Sequence, residues 1–151
     1  MINETLNTLR AYFNNARLAA DEIHVFIDGM APSDLDDFEN VKVVDSFIFR
    51  FIKIQDMMVG KMFRGVLRAV GEYSESMTAL DVLDKMEKVG LIESASLWID
   101  YRNLRNELTH EYPDNRDEII SGLKVSLDVF EVMENTYKKI NDYLVRKGIA
   151  S

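Results

Sequence analysis

Cysteine is absent from the 151 residues, so neither a disulfide scaffold nor a thiolate metal site is available. That absence fits a reducing compartment. Chain breakers are scarce as well. Two prolines and seven glycines over this length favour long helices over many short strands. Charges interrupt every apolar stretch, which argues against a membrane-spanning segment. The opening residues Met1-Ile2-Asn3-Glu4-Thr5-Leu6 lack the basic and apolar regions of a secretory signal. A cytoplasmic location is therefore expected. Positive charge is in deficit: 18 Lys and Arg stand against 26 Asp and Glu, a formal charge of −8. That deficit argues against a protein that coats nucleic acid nonspecifically, since such affinity comes mainly from neutralising phosphates. It leaves room for a nuclease with one local basic pocket, or for a basic partner.

What is present is an ordinary globular balance, 47% hydrophobic and 29% charged. The length suits one domain over 1–151 with a real core. Ile2, Leu6, Leu9, Phe13, Ala16, Ala20, Ile23 and Ile27 alternate in steps of four and three, the spacing of a helix with one apolar stripe. A second helix is expected from Asp36 or Asp37 with two adjacent stripes. One is Phe38, Val41, Asp45, Ile48, Ile52, Gln55 and Val59; the other is Val44, Phe47, Phe51, Ile54 and Met58. Such a wide face suits a central helix, or one shared with a dimer interface. Gly60, Gly65 and Gly71 weaken its continuation, although Met62, Phe63, Val66, Leu67 and Val70 keep a helical period. Thr78 and Asp81 predict a capping box on a short helix carrying Leu80, Leu83 and Met86, with Gly90 after its end. Ser94 or Ser96 starts the next helix, with the stripe Leu97, Tyr101, Leu104 and Leu108, and Pro113 stops it at or before Tyr112. The last helix runs from about Asn115 to Leu144, and the tail after it is expected to fray. The expected fold is all-α: an up-and-down four-helix bundle with one additional short helix.

Chemistry concentrates at the end of the fourth long segment. Arg105-Asn106-Glu107-Leu108-Thr109-His110-Glu111-Tyr112 holds an arginine, an asparagine and a histidine within six residues. At about 100° per residue, Asn103, Asn106 and His110 share one face and Arg102 and Arg105 a neighbouring one. Positions 105 and 110 stand about 140° apart on an ideal helix. They meet only if the last turn is distorted, or if a second copy of the helix supplies the complement across a two-fold axis. Metal-free RNA cleavage needs a base for the 2′-hydroxyl, an acid for the 5′-oxygen and positive charge for the phosphorane. Histidine suits the first two roles, and arginine the third. Asparagine orients phosphate or histidine without adding charge.

Arg105-Asn106-Glu107-Leu108-Thr109-His110 resembles the Arg-x(4–6)-His signature of the HEPN superfamily. With Tyr112 it resembles the Arg-x4-His-x-Tyr form of HepT-like toxins. The run Leu97-Trp98-Ile99-Asp100-Tyr101-Arg102 is similar to that subfamily, as is Asp45-Ser46-Phe47-Ile48-Phe49-Arg50-Phe51 with Gln55-Asp56. The resemblance implies a helical homodimer with two motifs facing across a cleft, acting as a metal-independent endoribonuclease toxin on RNA. Arg105, Asn106 and His110 would be catalytic. A minimal nucleotidyltransferase antitoxin would be the partner, transferring AMP to Tyr112. The resemblance implies no metal and no resident cofactor. Some relatives are known only as nucleotidyltransferase-binding or substrate-binding subunits, which is the alternative.

Plainer readings stand beside these. His110 also suits a dipole cap at a helix C-terminus, and Arg105 a surface ion pair with Glu107 or a partner's carboxylate. Tyr112 also suits packing over the helix end before Pro113. Glu107-Leu108-Thr109-His110 and Asp21-Glu22-Ile23-His24 match one motif of a di-metal bundle, but the apolar stripes leave no inward Glu on the second helix. Asp45 and Gln55 are expected as a hydrogen-bonded buried pair or an interface contact. The other reading has Asp45, Arg50 or Lys53 lining the cleft. His24 is expected to be structural, and the methionines adaptable packing.

Overall fold

The two clearest stripes make the two longest helices. The structure, a computed structural model, describes residues 1–110 and 115–151, and of His110 only its place at a helix end. Helix α1 spans Ile2–Phe26, and every stripe residue from Leu6 to Ile27 is buried. Two 3₁₀ turns, Ile27–Gly29 and Pro32–Asp36, lead to α2, Phe38–Met57. Asp37 caps α2 by accepting the Glu39 N–H. Helix α3, Phe63–Ala69, continues the same rod after one π-helical turn, Met58–Met62. Helix α4 is Ala79–Lys88, α5 is Ala95–His110 and α6 is Arg116–Arg146. The described residues contain no strand. Among them, no helix is long and apolar enough to cross a membrane.

Side-chain ties set the directions. Tyr137 on α6 donates to the Leu6 carbonyl on α1 at 2.8 Å, and Arg17 reaches Glu131 and Glu134. So α1 and α6 run antiparallel. Lys53 lies over Tyr12, while Ile2 reaches Gly65, so α1 and the α2–α3 rod are antiparallel too. Arg105 meets Asp56 and Trp98 meets Phe63, which makes α5 antiparallel to that rod. The result is an up-and-down bundle of α1, the rod, α5 and α6, with α4 as the additional short helix packed against the rod and α5.

The rod is where the expected pattern needs correction. Val44, Phe47, Phe51, Ile54 and Met58 are fully buried, but Phe38 is 69% exposed and Asp45 faces solvent. The two stripes are not equivalent: one is core and the other is its edge. The continuation past Gly60 is not lost but re-phased. A regular helix would next bury Lys61 and Gly65. Instead the Phe63 N–H bonds to the Met58 carbonyl, five residues back. This one wide turn brings Phe63, Val66 and Leu67 into the core.

Asp45 and Gln55 do not pair. Ten residues of helix set them about 15 Å apart along the axis and about 80° apart around it. Gln55 is buried and its Nε2 has no hydrogen-bond partner among the described residues. His24 is exposed.

Local signals elsewhere hold with small shifts. Thr78 and Asp81 cap each other reciprocally, at 3.1 and 3.0 Å. Gly90 takes φ +80°, the left-handed conformation that a β-carbon penalises. Leu80, however, is exposed, and Val82 joins Leu83 and Met86 in the core. Ser94 is the cap of α5, accepting the Leu97 N–H. Leu97 is exposed, and Trp98 takes the buried place, edge-on to Phe63 and Tyr101. The tail does not fray: Gly148 turns the chain at φ +73°, the Ile149 N–H bonds back to the Leu144 carbonyl, and Ala150 is buried.

Arg17 clamps α1 to α6 with two bonds to Glu131 and one to Glu134, its guanidinium 4.8 Å from the centre of the Phe130 ring. The hydrogen bond from Arg17 holds the Glu131 carboxyl below the usual range, against a smaller opposing effect of burial. A depressed carboxylate contributes stability above its unfolded value, about 4.3, and loses it as pH falls through the folded one. The melting temperature is therefore expected to drop from about pH 5 to about pH 3. Part of that drop should vanish in Arg17→Gln. An equal drop in the variant would show that the clamp does not govern acid stability.

Candidate functional site

Helix α5 is α-helical through His110, so its last turn does not bend positions 105 and 110 together. The two remain about 140° apart around the axis. Tyr112 lies outside the described residues, as does the His110 side chain.

Arg105 is the best-defined group of the motif. Its Nε and Nη2 donate to the two carboxylate oxygens of Asp56 at 3.0 and 2.9 Å. Such a two-bond fork fixes the guanidinium plane. The pair forms because α2 and α5 are antiparallel neighbours and Asp56 falls on the flank of α2 that faces α5. Those hydrogen bonds, and then the charge of Asp56, raise the arginine's pKa above its ordinary value, while partial burial opposes them. Nη1 is left with two longer contacts, to Asn106 Oδ1 at 3.5 Å and Thr109 Oγ1 at 3.4 Å. The guanidinium is thus gripped closely on two nitrogens and held more loosely on the third. Asn106 is exposed beside it, and Arg102 is exposed on the same helix. Glu107, the intrahelical partner considered for Arg105, makes no ion pair with it; Asp56 does.

Two flanks of the bundle differ sharply in charge. Between α5 and α6 lies a groove of about 650 Å³, with Ile48, Leu104, Leu108 and Ile119 among its walls. Among the described residues its charged side chains are Asp100, Glu107 and Glu118, all acidic. The other flank, between α1 and the rod, has two adjoining lobes of about 360 Å³ each, sharing Met57, Gly60 and Lys61. Asp56 lines the lobe that also holds Tyr12 and Lys53. The second lobe adds Arg64 and Arg68, with Glu4 as its acidic residue.

Of the three residues weighed as lining the cleft, only Lys53 lies beside Asp56. Asp45 is exposed elsewhere on α2. Arg50 faces a separate shallow groove with Glu22 and Lys42, bonding to Ser46. The two Glu/Asp-x-x-His segments are also apart. Glu107 faces the α5–α6 groove, while Asp21 sits by Arg17.

Sequence reasoning gave Asp56 no role of its own and passed over Lys61 and Tyr12. Asp56 is 49 residues from its partner, and no local period links the two.

No protein-family model matches the chain, and no curated protein does. The fold is similar to a solved structure from Haemophilus influenzae, described as revealing the fold of a substrate binding domain of a nucleotidyltransferase. The TM-score is 0.71 at 18% identity, over 89% of this chain and 98% of that one. At that identity the likeness is one of fold.

Proposed function

We propose that residues 1–151 form one HEPN-like, HepT-like domain acting as a metal-independent endoribonuclease toxin, working as a homodimer in the cytoplasm. The observation that carries this reading is Arg105, held in a fork by Asp56 with only its two longest contacts on Nη1, on an unbroken helix that ends in His110. A forked guanidinium suits a phosphate whose charge grows in the transition state. Because positions 105 and 110 diverge within one chain, the complete site needs both copies of α5 in one cleft.

The reaction follows from that arrangement. One imidazole takes the proton of the RNA 2′-hydroxyl, and the 2′-oxygen bonds to phosphorus. The bond from phosphorus to the 5′-oxygen breaks, and the leaving oxygen takes a proton from the second imidazole, His110 of the partner subunit. The products are a 2′,3′-cyclic phosphate and a free 5′-hydroxyl. Arg105 stabilises the phosphorane, and Asn106 orients it.

The test is cleavage of a labelled RNA by purified, unmodified protein in excess chelator. Cleavage is expected to persist, with a 2′,3′-cyclic phosphate at the new end. RNA left intact, with or without added divalent metal, would sink the nuclease reading.

A second reading is a non-catalytic partner of a nucleotidyltransferase. It is favoured by the fold shared with the Haemophilus influenzae protein and by the acid-rimmed, apolar-walled groove between α5 and α6. Under either reading, incubation with a minimal nucleotidyltransferase and ATP should add AMP mass to Tyr112 and none to Tyr112→Phe. No adduct on the wild-type chain would count against regulation at that tyrosine.

A further inference from the structure

The cleft between α1 and the rod meets the chemistry above only at Asp56, yet its charge runs against that of the chain. Overall the protein carries −8. Among the described residues, this cleft sets Lys53, Lys61, Arg64 and Arg68 against Glu4 and Asp56. Asp56 is already neutralised by Arg105. Neither Lys53 nor Lys61 has a carboxylate partner among the described residues. Arg64 is held by the Tyr73 hydroxyl and the Met77 carbonyl, so its charge is also uncompensated. Arg68 shares its charge with Glu75 at 3.5 Å.

Shape adds to charge. The cleft starts at Asp56, which holds Arg105, and passes over the wide turn at Gly60, which lines both lobes. A β-carbon at Gly60 would meet nothing within 4 Å, so the backbone there is open to a ligand. Tyr12 lines the first lobe, with the Lys53 ammonium 6.0 Å from its ring centre. Cations tracking a groove beside an aromatic face are how proteins hold single strands without reading their sequence. A furrow between two adjacent helices, whose axes pack about 8–10 Å apart, is too narrow for a duplex.

We infer that this cleft binds the phosphate backbone of single-stranded RNA and leads the strand to or from Arg105. Lys53 and Lys61 contact phosphates, Arg64 extends the track, and Tyr12 offers a face for one base. The choice of RNA as the ligand rests on the nuclease reading; the cleft's charge and shape do not.

The experiment uses full-length His110→Ala protein and a fluorescent single-stranded 15-nucleotide uridine RNA, followed by anisotropy across a salt series. Two cleft variants are made in that background, Lys53→Glu/Lys61→Glu and Gly60→Glu. The control is Lys139→Glu/Lys147→Glu, which changes net charge equally but lies elsewhere. Melting temperatures confirm that each variant folds. The parent is expected to bind with log K falling linearly against log salt. Each lost phosphate contact should reduce that slope by about 0.7, so the double cleft variant should lose about 1.4 and bind at least about tenfold more weakly at low salt. Gly60→Glu should also weaken binding, and the control should not. No binding by the parent, cleft variants that match it, or a control that falls equally would each overturn the proposal. Cleft-dependent binding alongside a wild-type protein that cleaves nothing would sink the nuclease and leave the cleft standing. Cleavage by wild type with no cleft dependence would do the reverse.

Discussion

Arg105→Ala is expected to reduce RNA cleavage by about 10²–10³-fold, the cost of removing one preorganised charge from a transition state. His110→Ala is expected to cost about 10²–10⁴-fold, as for a lost acid–base group. The two losses should not add, since either removal disables the same step. Arg105→Lys is the informative companion. An ammonium cannot keep two parallel bonds to Asp56 and still present a third, fixed donor to phosphate. Lysine is therefore expected to rescue little. Asp56→Asn should fall between wild type and Arg105→Ala, because the amide keeps one acceptor oxygen for the guanidinium and loses the charge and the second bond of the fork. Its loss should appear in kcat more than in KM, since the guanidinium is misaimed rather than missing. Folding should be little affected, because a partly exposed surface ion pair such as Arg105–Asp56 contributes roughly 0–1 kcal/mol. Wild-type rates in Arg105→Ala would mean that the cleavage measured belongs to a contaminant or to another site.

Phe130→Ala is expected to be the most damaging single change to stability. The ring is fully buried at the middle of α6, 5.8 Å from Phe13 and 5.7 Å, edge-on, from Phe47. It thus joins α1, α2 and α6 in one cluster, and the Arg17 guanidinium lies over its face. Truncating a buried phenylalanine costs about 3–5 kcal/mol through lost transfer energy and the cavity left behind. For a chain of this size that is a melting shift of roughly 10 °C or more. Leu97→Ala is the contrast, a large apolar residue at a position expected in the core but 42% exposed. It should change stability by about 0.5 kcal/mol or less. Denaturant midpoints of the two variants check the pair. Similar midpoints would show that the cluster is not where the bundle's stability resides.

These contrasts separate what is local from what is not. Helices α1 and α6 were legible because their stripes keep one phase over many turns, and long repetition leaves one solution. The Thr78–Asp81 cap and the Gly90 turn were legible because each is settled within a few residues. Leu97 and Leu80 were misplaced because a stripe drawn on an ideal helix is uncertain by one position. Only the neighbours decide whether Leu97 or Trp98 enters the core, and Phe63 decides for Trp98. The helical period past Gly60 was legible, but the wide turn at Met58–Met62 was not, because no local pattern shows that one turn is wound five residues back. In three dimensions it re-phases one helix so that both halves bury their apolar residues.

The motif Arg105 to His110 was visible from its spacing, and so was the divergence of its two ends. The sequence by itself determined that these residues share one helix, because spacing along a helix sets direction around it. Tertiary structure alone decided that Arg105 is held by Asp56 and that Lys53 and Lys61 lie beside that pair. Helix packing brings together residues far apart in the chain, and no pattern within a single helix encodes that meeting.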